Sequence, residues 1–112
     1  MNLPELSARA VSVRQRYAAL ETAKYGRPWT REDVAMGLVG DIGDLMKHVM
    51  AHQGIRKMPG SEERIAHELA DCLWSILVLA EMYGIGLEGA FLRTMDDIEA
   101  HIDGETARLE NL

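Results

Sequence analysis

The chain has one cysteine, Cys72, so an internal disulfide and a cysteine-rich zinc site are both excluded, and a reducing compartment fits. Cys72 reads as a small core residue. An excess of basic charge is also lacking. With 12 Lys and Arg against 18 Asp and Glu, the formal charge is -6, which argues against a nucleic-acid backbone as partner, because phosphate neutralisation needs clustered cations. No window approaches the roughly 20 apolar residues of a membrane span. The longest apolar run is "CLWSILVLA", and the opening "MNLPELSARA" has neither the basic start nor the apolar centre of a signal peptide. These absences lead us to expect a cytoplasmic chain without a membrane partner. There are no repeats, no low-complexity tract, no dividing linker and no strand signal.

What remains is a short globular composition. The 112 residues are 47% hydrophobic and 27% charged, enough for one modest core, so residues 1–112 are expected to form a single domain. The spacing predicts an all-α fold of four main helices. The first runs from about Pro4 to Lys24 along Leu6, Ala10, Val13, Tyr17 and Leu20, and Gly26 with Pro28 ends it. Thr30 is an N-cap for the second, whose stripe Val34, Leu38, Ile42, Leu45 and Val49 continues to about His52. After the loop "QGIRKMPG", Ser61 is expected to cap the third helix, with the stripe Ile65, Leu69, Cys72, Leu73, Ile76, Leu79 and Tyr83, stopped by Gly84 and Gly86. The fourth carries Leu87, Phe91, Met95, Ile98 and Ile102, and Gly104 is expected to release the polar tail "ETARLENL", which is either free or adds one more turn. Trp74 projects opposite the third stripe, and this second apolar face points to a subunit partner.

Two fragments carry the chemistry, "GDIGDLM" on helix two and "HELADCL" on helix three. Each has carboxylates three residues apart, Asp41 with Asp44 and Glu68 with Asp71. At that spacing two side chains lie on one helix face a turn apart. Projected at about 100° per residue, both pairs fall at the border of an apolar stripe rather than opposite it. If the two helices pack antiparallel, as their short loop favours, four carboxylates converge beside the core, where unpaired charges repel and resist desolvation. Such a cluster calls for a cation, and all-oxygen ligation suits Mg²⁺ or Mn²⁺. The competing reading is a solvated acidic face, which is how Glu62 with Glu63 and Asp96 with Asp97 are read. None of the histidines makes the E-x-x-H of ferritin-like di-iron bundles, and neither His67, beside Glu68, nor His48, a turn beyond Asp44, is read as a ligand.

The segments "TREDVAMGLVGDIGDLMKHV" and "HELADCLWSILVLAEMYGIGLEGAF" resemble the MazG-like all-α nucleoside triphosphate pyrophosphohydrolases, including the dCTP pyrophosphatase branch, over roughly Thr30 to Met95. That family places E-x-x-E on one helix and E-x-x-D on the next, holding Mg²⁺ on the triphosphate. The resemblance assigns those ligand and catalytic places to Asp41, Asp44, Glu68 and Asp71. It implies a four-helix MazG-like bundle that assembles as a homodimer or homotetramer. It also implies cleavage between the α and β phosphates by water that metal and carboxylate activate, giving a nucleoside monophosphate and pyrophosphate.

Helix two departs from the family in supplying aspartates, each one methylene shorter than glutamate, and Gly40 stands where a further glutamate is often found. On helix four the family's lysine and asparagine fall on Thr94 and Ile98, while Asp96 matches an acidic position and Arg93 is a neighbouring cation. Tyr25 and Trp29, before helix two, are placed to stack on a base or to cover the bundle end. Lys47, Arg56 and Lys57 are candidate phosphate contacts. Gly40 and Gly43, flanking Asp41, are expected to admit helix three or the substrate closely. The rival function is a non-catalytic MazG-like module that binds nucleotide or a protein partner with little turnover.

Overall fold

A computed structural model of the protein describes residues 1–54 and 60–112. Four α-helices follow one another: α1 (Leu3–Tyr25), α2 (Arg31–His52), α3 (Ser61–Met82) and α4 (Leu87–Glu110). No strand occurs among the described residues.

The helix ends follow from local chemistry. Asn2 accepts the Glu5 backbone N–H at 3.0 Å to open α1, and Gly26 closes it in the left-handed region at φ 80°. A reciprocal capping box opens α2: Thr30 Oγ1 accepts from Asp33 N at 3.2 Å, and Asp33 Oδ2 accepts from Thr30 N at 2.9 Å. Arg27 reaches the same carboxylate oxygen at 2.9 Å. These contacts to the ionised form hold the Asp33 carboxyl below the usual carboxylate range, the Thr30 N–H most of all and then Arg27.

Two boundaries differ from the sequence reading. Ser61 does not cap α3 but is its first helical residue; Gly60 occupies the cap at φ 72°, a backbone turn that glycine makes without steric cost. Nor does Gly104 end α4, which passes through it to Glu110. A mid-helix glycine costs only about 1 kcal/mol. The following turns are sustained by good helix formers and by a 2.8 Å ion pair between Glu105 and Arg108.

The core is small. Ala10 of α1, Val34 of α2, and Leu77 and Val78 of α3 are buried together, flanked by Leu3, Trp74, Leu79, Met82 and Leu87. Helices α2 and α3 pack antiparallel as expected. The Arg31 guanidinium lies 4.7 Å from the Tyr83 ring centroid at one end, and His52 lies 3.8 Å from Glu62 at the other. Helix α1 packs on α3.

Only part of the expected α3 stripe enters the core: Cys72 is buried, and Leu79 packs against the core cluster. Leu69, Leu73, Ile76 and Tyr83 are exposed, whereas Leu77 and Val78 are buried. Trp74, expected to face a subunit partner, instead packs against α1: its indole N–H donates to the Ala10 carbonyl at 3.2 Å, and its ring meets Tyr17 edge-on with centroids 5.9 Å apart. The run "CLWSILVLA" is apolar around the whole helix, so periodicity has little to say about which side faces inward.

The chain turns by 108° between α3 and α4. Leu87 touches the core, but no α4 residue is buried, and Phe91, Leu92, Ile98 and Ile102 are exposed. The radius of gyration is 18.4 Å, against about 13 Å for a compact chain of this length. No single helix among the described residues is long and apolar enough to cross a membrane.

Candidate metal and substrate site

Antiparallel pairing of α2 and α3 sets the two acidic pairs side by side. Ligand oxygens of Asp41, Asp44 and Glu68 lie within 4.8 Å of one another, and so do ligand atoms of His67, Glu68 and Asp71. Glu68 belongs to both groups and joins them. His67 Nε2 is 3.2 Å from Asp71 Oδ2, one helical turn away, and Lys47 Nζ is 3.6 Å from Asp44 Oδ1.

The charges act on one another. Burial, and then the nearby carboxylates of Asp71 and Asp44, push the Asp41 carboxyl above its ordinary range, with His67 opposing them. The next residue on α3 feels the same field. Burial first, and then Asp41, Glu68 and Asp71, raise the Cys72 thiol, which keeps it protonated and unsuited to nucleophilic attack. The Asp41, Asp44 and Glu68 group offers carboxylate oxygens alone, the donor type a hard divalent cation prefers, while the group sharing Glu68 adds the His67 imidazole. Asp41, Asp44 and Glu68, with Asp71 alongside, are the residues here that could hold such an ion.

A cavity of about 530 Å³ opens beside the carboxylates, between α1, α2 and α3. Asp41, Asp71 and Glu21 are its acidic lining residues, and Tyr17, Trp29 and Trp74 supply aromatic walls. Flat apolar walls meeting a few convergent polar groups are typical of small-molecule sites.

Of the remaining residues singled out from sequence, Trp29 lines this cavity, but Tyr25 ends α1, is exposed and does not. Lys47 stays beside Asp44. Arg93 folds back on its own helix, its Nη1 lying 3.1 Å from where a Cβ on Gly89 would stand. Asp96 is exposed on α4. Arg56 and Lys57 lie outside the described residues. Helix α3 does not make the close approach expected at Gly40 and Gly43, since an added Cβ at either meets no atom of the chain within 4 Å. Gly37 is the glycine that something approaches: the Trp29 ring lies 3.1 Å from the place of its missing Cβ.

Sequence reasoning passed over three contributors. His67 was discounted, although its i, i+4 spacing to Asp71 was readable. Tyr17 reads as part of the α1 packing stripe and Trp74 as a face for a subunit partner, and nothing in the pattern of either helix alone reveals that both border one cavity. Comparison with protein-family models, with curated proteins and with solved structures finds no match to the chain.

Proposed function

We propose that this chain is a metal-dependent nucleoside triphosphate pyrophosphohydrolase of MazG-like type. The observation that supports this reading best is the meeting of α2 and α3 carboxylates at Glu68, directly beside an aromatic-walled cavity. Asp41, Asp44, Glu68 and Asp71 would hold Mg²⁺ or Mn²⁺. When bound, that ion supplies positive charge that offsets the triphosphate and the charge developing on its phosphoryl oxygens.

The chain's own residues then have distinct tasks. Trp29, with Tyr17 and Trp74 across the cavity, takes the planar base and orients the nucleotide with its phosphates toward α2 and α3. A water adds to the α-phosphorus, the bond to the bridging oxygen breaks, and a nucleoside monophosphate and pyrophosphate leave. The water's proton has acceptors at the site in the Asp71 carboxylate and the neighbouring His67 imidazole. Lys47 is a candidate cation for a phosphate, although it is engaged with Asp44.

The reading includes a homodimer or homotetramer. Val39, Ile42 and Met46 on α2, Leu69, Leu73 and Ile76 on α3, and Phe91 and Ile98 on α4 are all exposed, more apolar surface than a lone small protein ordinarily leaves in water. Completion of the four-helix MazG-like bundle by a second copy would cover it. Clearance of nucleotides from the cytoplasmic pool is the corresponding role.

The non-catalytic alternative is favoured by one observation: α4 leaves the other helices, so Arg93 and Asp96 do not join the carboxylates within one chain. The discriminating experiment is pyrophosphate release from a panel of ribo- and deoxyribonucleoside triphosphates with Mg²⁺ or Mn²⁺, beside Asp71→Asn. Metal-dependent release that Asp71→Asn loses supports the enzyme. Absence of turnover with either metal gives the binding module precedence.

A further inference from the structure

The backbone of Trp29 is gripped from both sides by one ion pair on α1. Glu21 Oε1 accepts the Trp29 N–H at 2.8 Å, Arg14 Nη2 donates to the Trp29 carbonyl, and Arg14 Nη1 meets the same Glu21 oxygen at 3.0 Å. The two side chains are only 12% and 13% exposed, so the pair is screened weakly, and its charge-assisted hydrogen bonds run to each other and to this one residue. The arrangement is not local: Arg14 and Glu21 lie two turns apart on α1, while Trp29 stands in the connection to α2, just before the Thr30 cap. An exposed connection would ordinarily leave its aromatic side chain free to reorient. Here the peptide groups on either side of Trp29 are fixed, and its ring is seated on Gly37.

We infer that Arg14 and Glu21 are positioning residues that preset Trp29 as a rigid wall of the cavity, so that a planar aromatic ring enters a slot already formed between Trp29 and the Tyr17–Trp74 pair. The inference rests on the proposed nucleotide function and adds to it the source of base affinity. Preorganisation lowers the ordering cost of binding. Its loss therefore weakens affinity for the base-bearing ligand while leaving the carboxylates of α2 and α3 untouched.

The experiment separates the two readings. In a Trp74→Phe background, where Trp29 is the sole tryptophan, acrylamide quenching of Trp29 is compared for the parent, Glu21→Ala, Glu21→Gln and Arg14→Ala, with circular dichroism confirming the fold of each. Quenching is expected to rise at least twofold in Glu21→Ala and Arg14→Ala, and by less in Glu21→Gln, which keeps an acceptor for the Trp29 N–H. With Trp74 restored, Arg14→Ala, which removes the half of the clamp that does not itself line the cavity, is expected to raise KM for a nucleoside triphosphate about tenfold with kcat within threefold. Competitive inhibition by inorganic tripolyphosphate, which has no base, is expected to stay within twofold. Unchanged quenching in the alanine variants overturns the inference whether or not the protein turns nucleotides over. A parallel loss of tripolyphosphate affinity also overturns it, because the effect would then not be confined to the base. Wild-type protein inert on every nucleotide overturns the functional reading instead, and the quenching result still decides whether the clamp exists.

Discussion

The Trp29 ring rests on the α2 backbone at Gly37, its Cζ3 atom 3.1 Å from where a Cβ would stand. A residue whose side chain lines the cavity thus depends on the absence of a side chain one helix away. In Gly37→Ala the ring must yield by a few tenths of an ångström, against a backbone held by Arg14 and Glu21. We expect the variant to gain none of the roughly 1 kcal/mol that alanine gives over glycine in an open helix, and to bind nucleotide more weakly. Urea melts beside KM measurements check both.

Gly40→Ala and Gly43→Ala should behave oppositely. Both positions face open space, so each substitution is expected to stabilise the protein by up to about 1 kcal/mol and to leave Mn²⁺ affinity unchanged. Chemical denaturation and metal titration of the two variants test this. A loss of metal affinity would show that these glycines serve a close approach after all.

The acidic cluster makes a pH prediction of definite sign. Asp41 is raised above its unfolded value, so the folded protein binds that proton more tightly than the unfolded chain does. Its contribution to stability is fully present below the ordinary aspartate range and is lost as pH rises through the folded value. Metal-free wild type should therefore carry a penalty at neutral pH that Asp41→Asn relieves. Added Mg²⁺ should raise the melting temperature of wild type and not that of Asp41→Asn. Thermal melts from pH 4 to 8, with and without metal, check it.

Asp33 has the opposite sign. Its carboxyl is lowered by the Thr30 N–H and by Arg27, so its contribution is present at neutral pH and lost as pH falls through the folded value. Asp33→Asn is expected to destabilise the protein at pH 7, and the difference from wild type should close on acidification. Thr30→Ala removes the other half of the capping box and should cost about 1 kcal/mol, with a weaker pH dependence than Asp33→Asn because the Thr30 hydroxyl is only a minor cause of the lowered Asp33 carboxyl. Paired melts of the two variants distinguish the titrating half of the cap from the non-titrating half.

Much of this molecule was legible in its sequence because caps and carboxylate spacing are local. Thr30 with Asp33, Gly26 and Gly84 mark helix ends through contacts within a few residues, and Asp41, Asp44, Glu68 and Asp71 announce their shared faces through the i, i+3 repeat. What could not be read was non-local. Which side of "CLWSILVLA" turns inward depends on where α1 lands, since Leu73 and Leu77 are equally apolar but only Leu77 is buried. The reason for Gly37 lies in Trp29, which reaches it from outside the helix. Nothing in the local pattern of α1 ties Arg14 and Glu21 to Trp29, which only the chain reversal brings between them. The departure of α4 is likewise invisible to periodicity, because its stripe of Phe91, Met95, Ile98 and Ile102 reads the same whether it covers its own chain or another copy.

Glu68 offers the most direct test of the proposed chemistry, because it joins both ligand groups. Phosphorus NMR of the products formed from a nucleoside triphosphate with Mg²⁺ or Mn²⁺ should be recorded for wild type and for Glu68→Gln, with circular dichroism confirming the fold of both. The expected result is nucleoside monophosphate and pyrophosphate from wild type only when metal is present, and no product from the folded Glu68→Gln. Orthophosphate and a diphosphate as products, or turnover that survives Glu68→Gln or removal of the metal, would contradict the proposed activity.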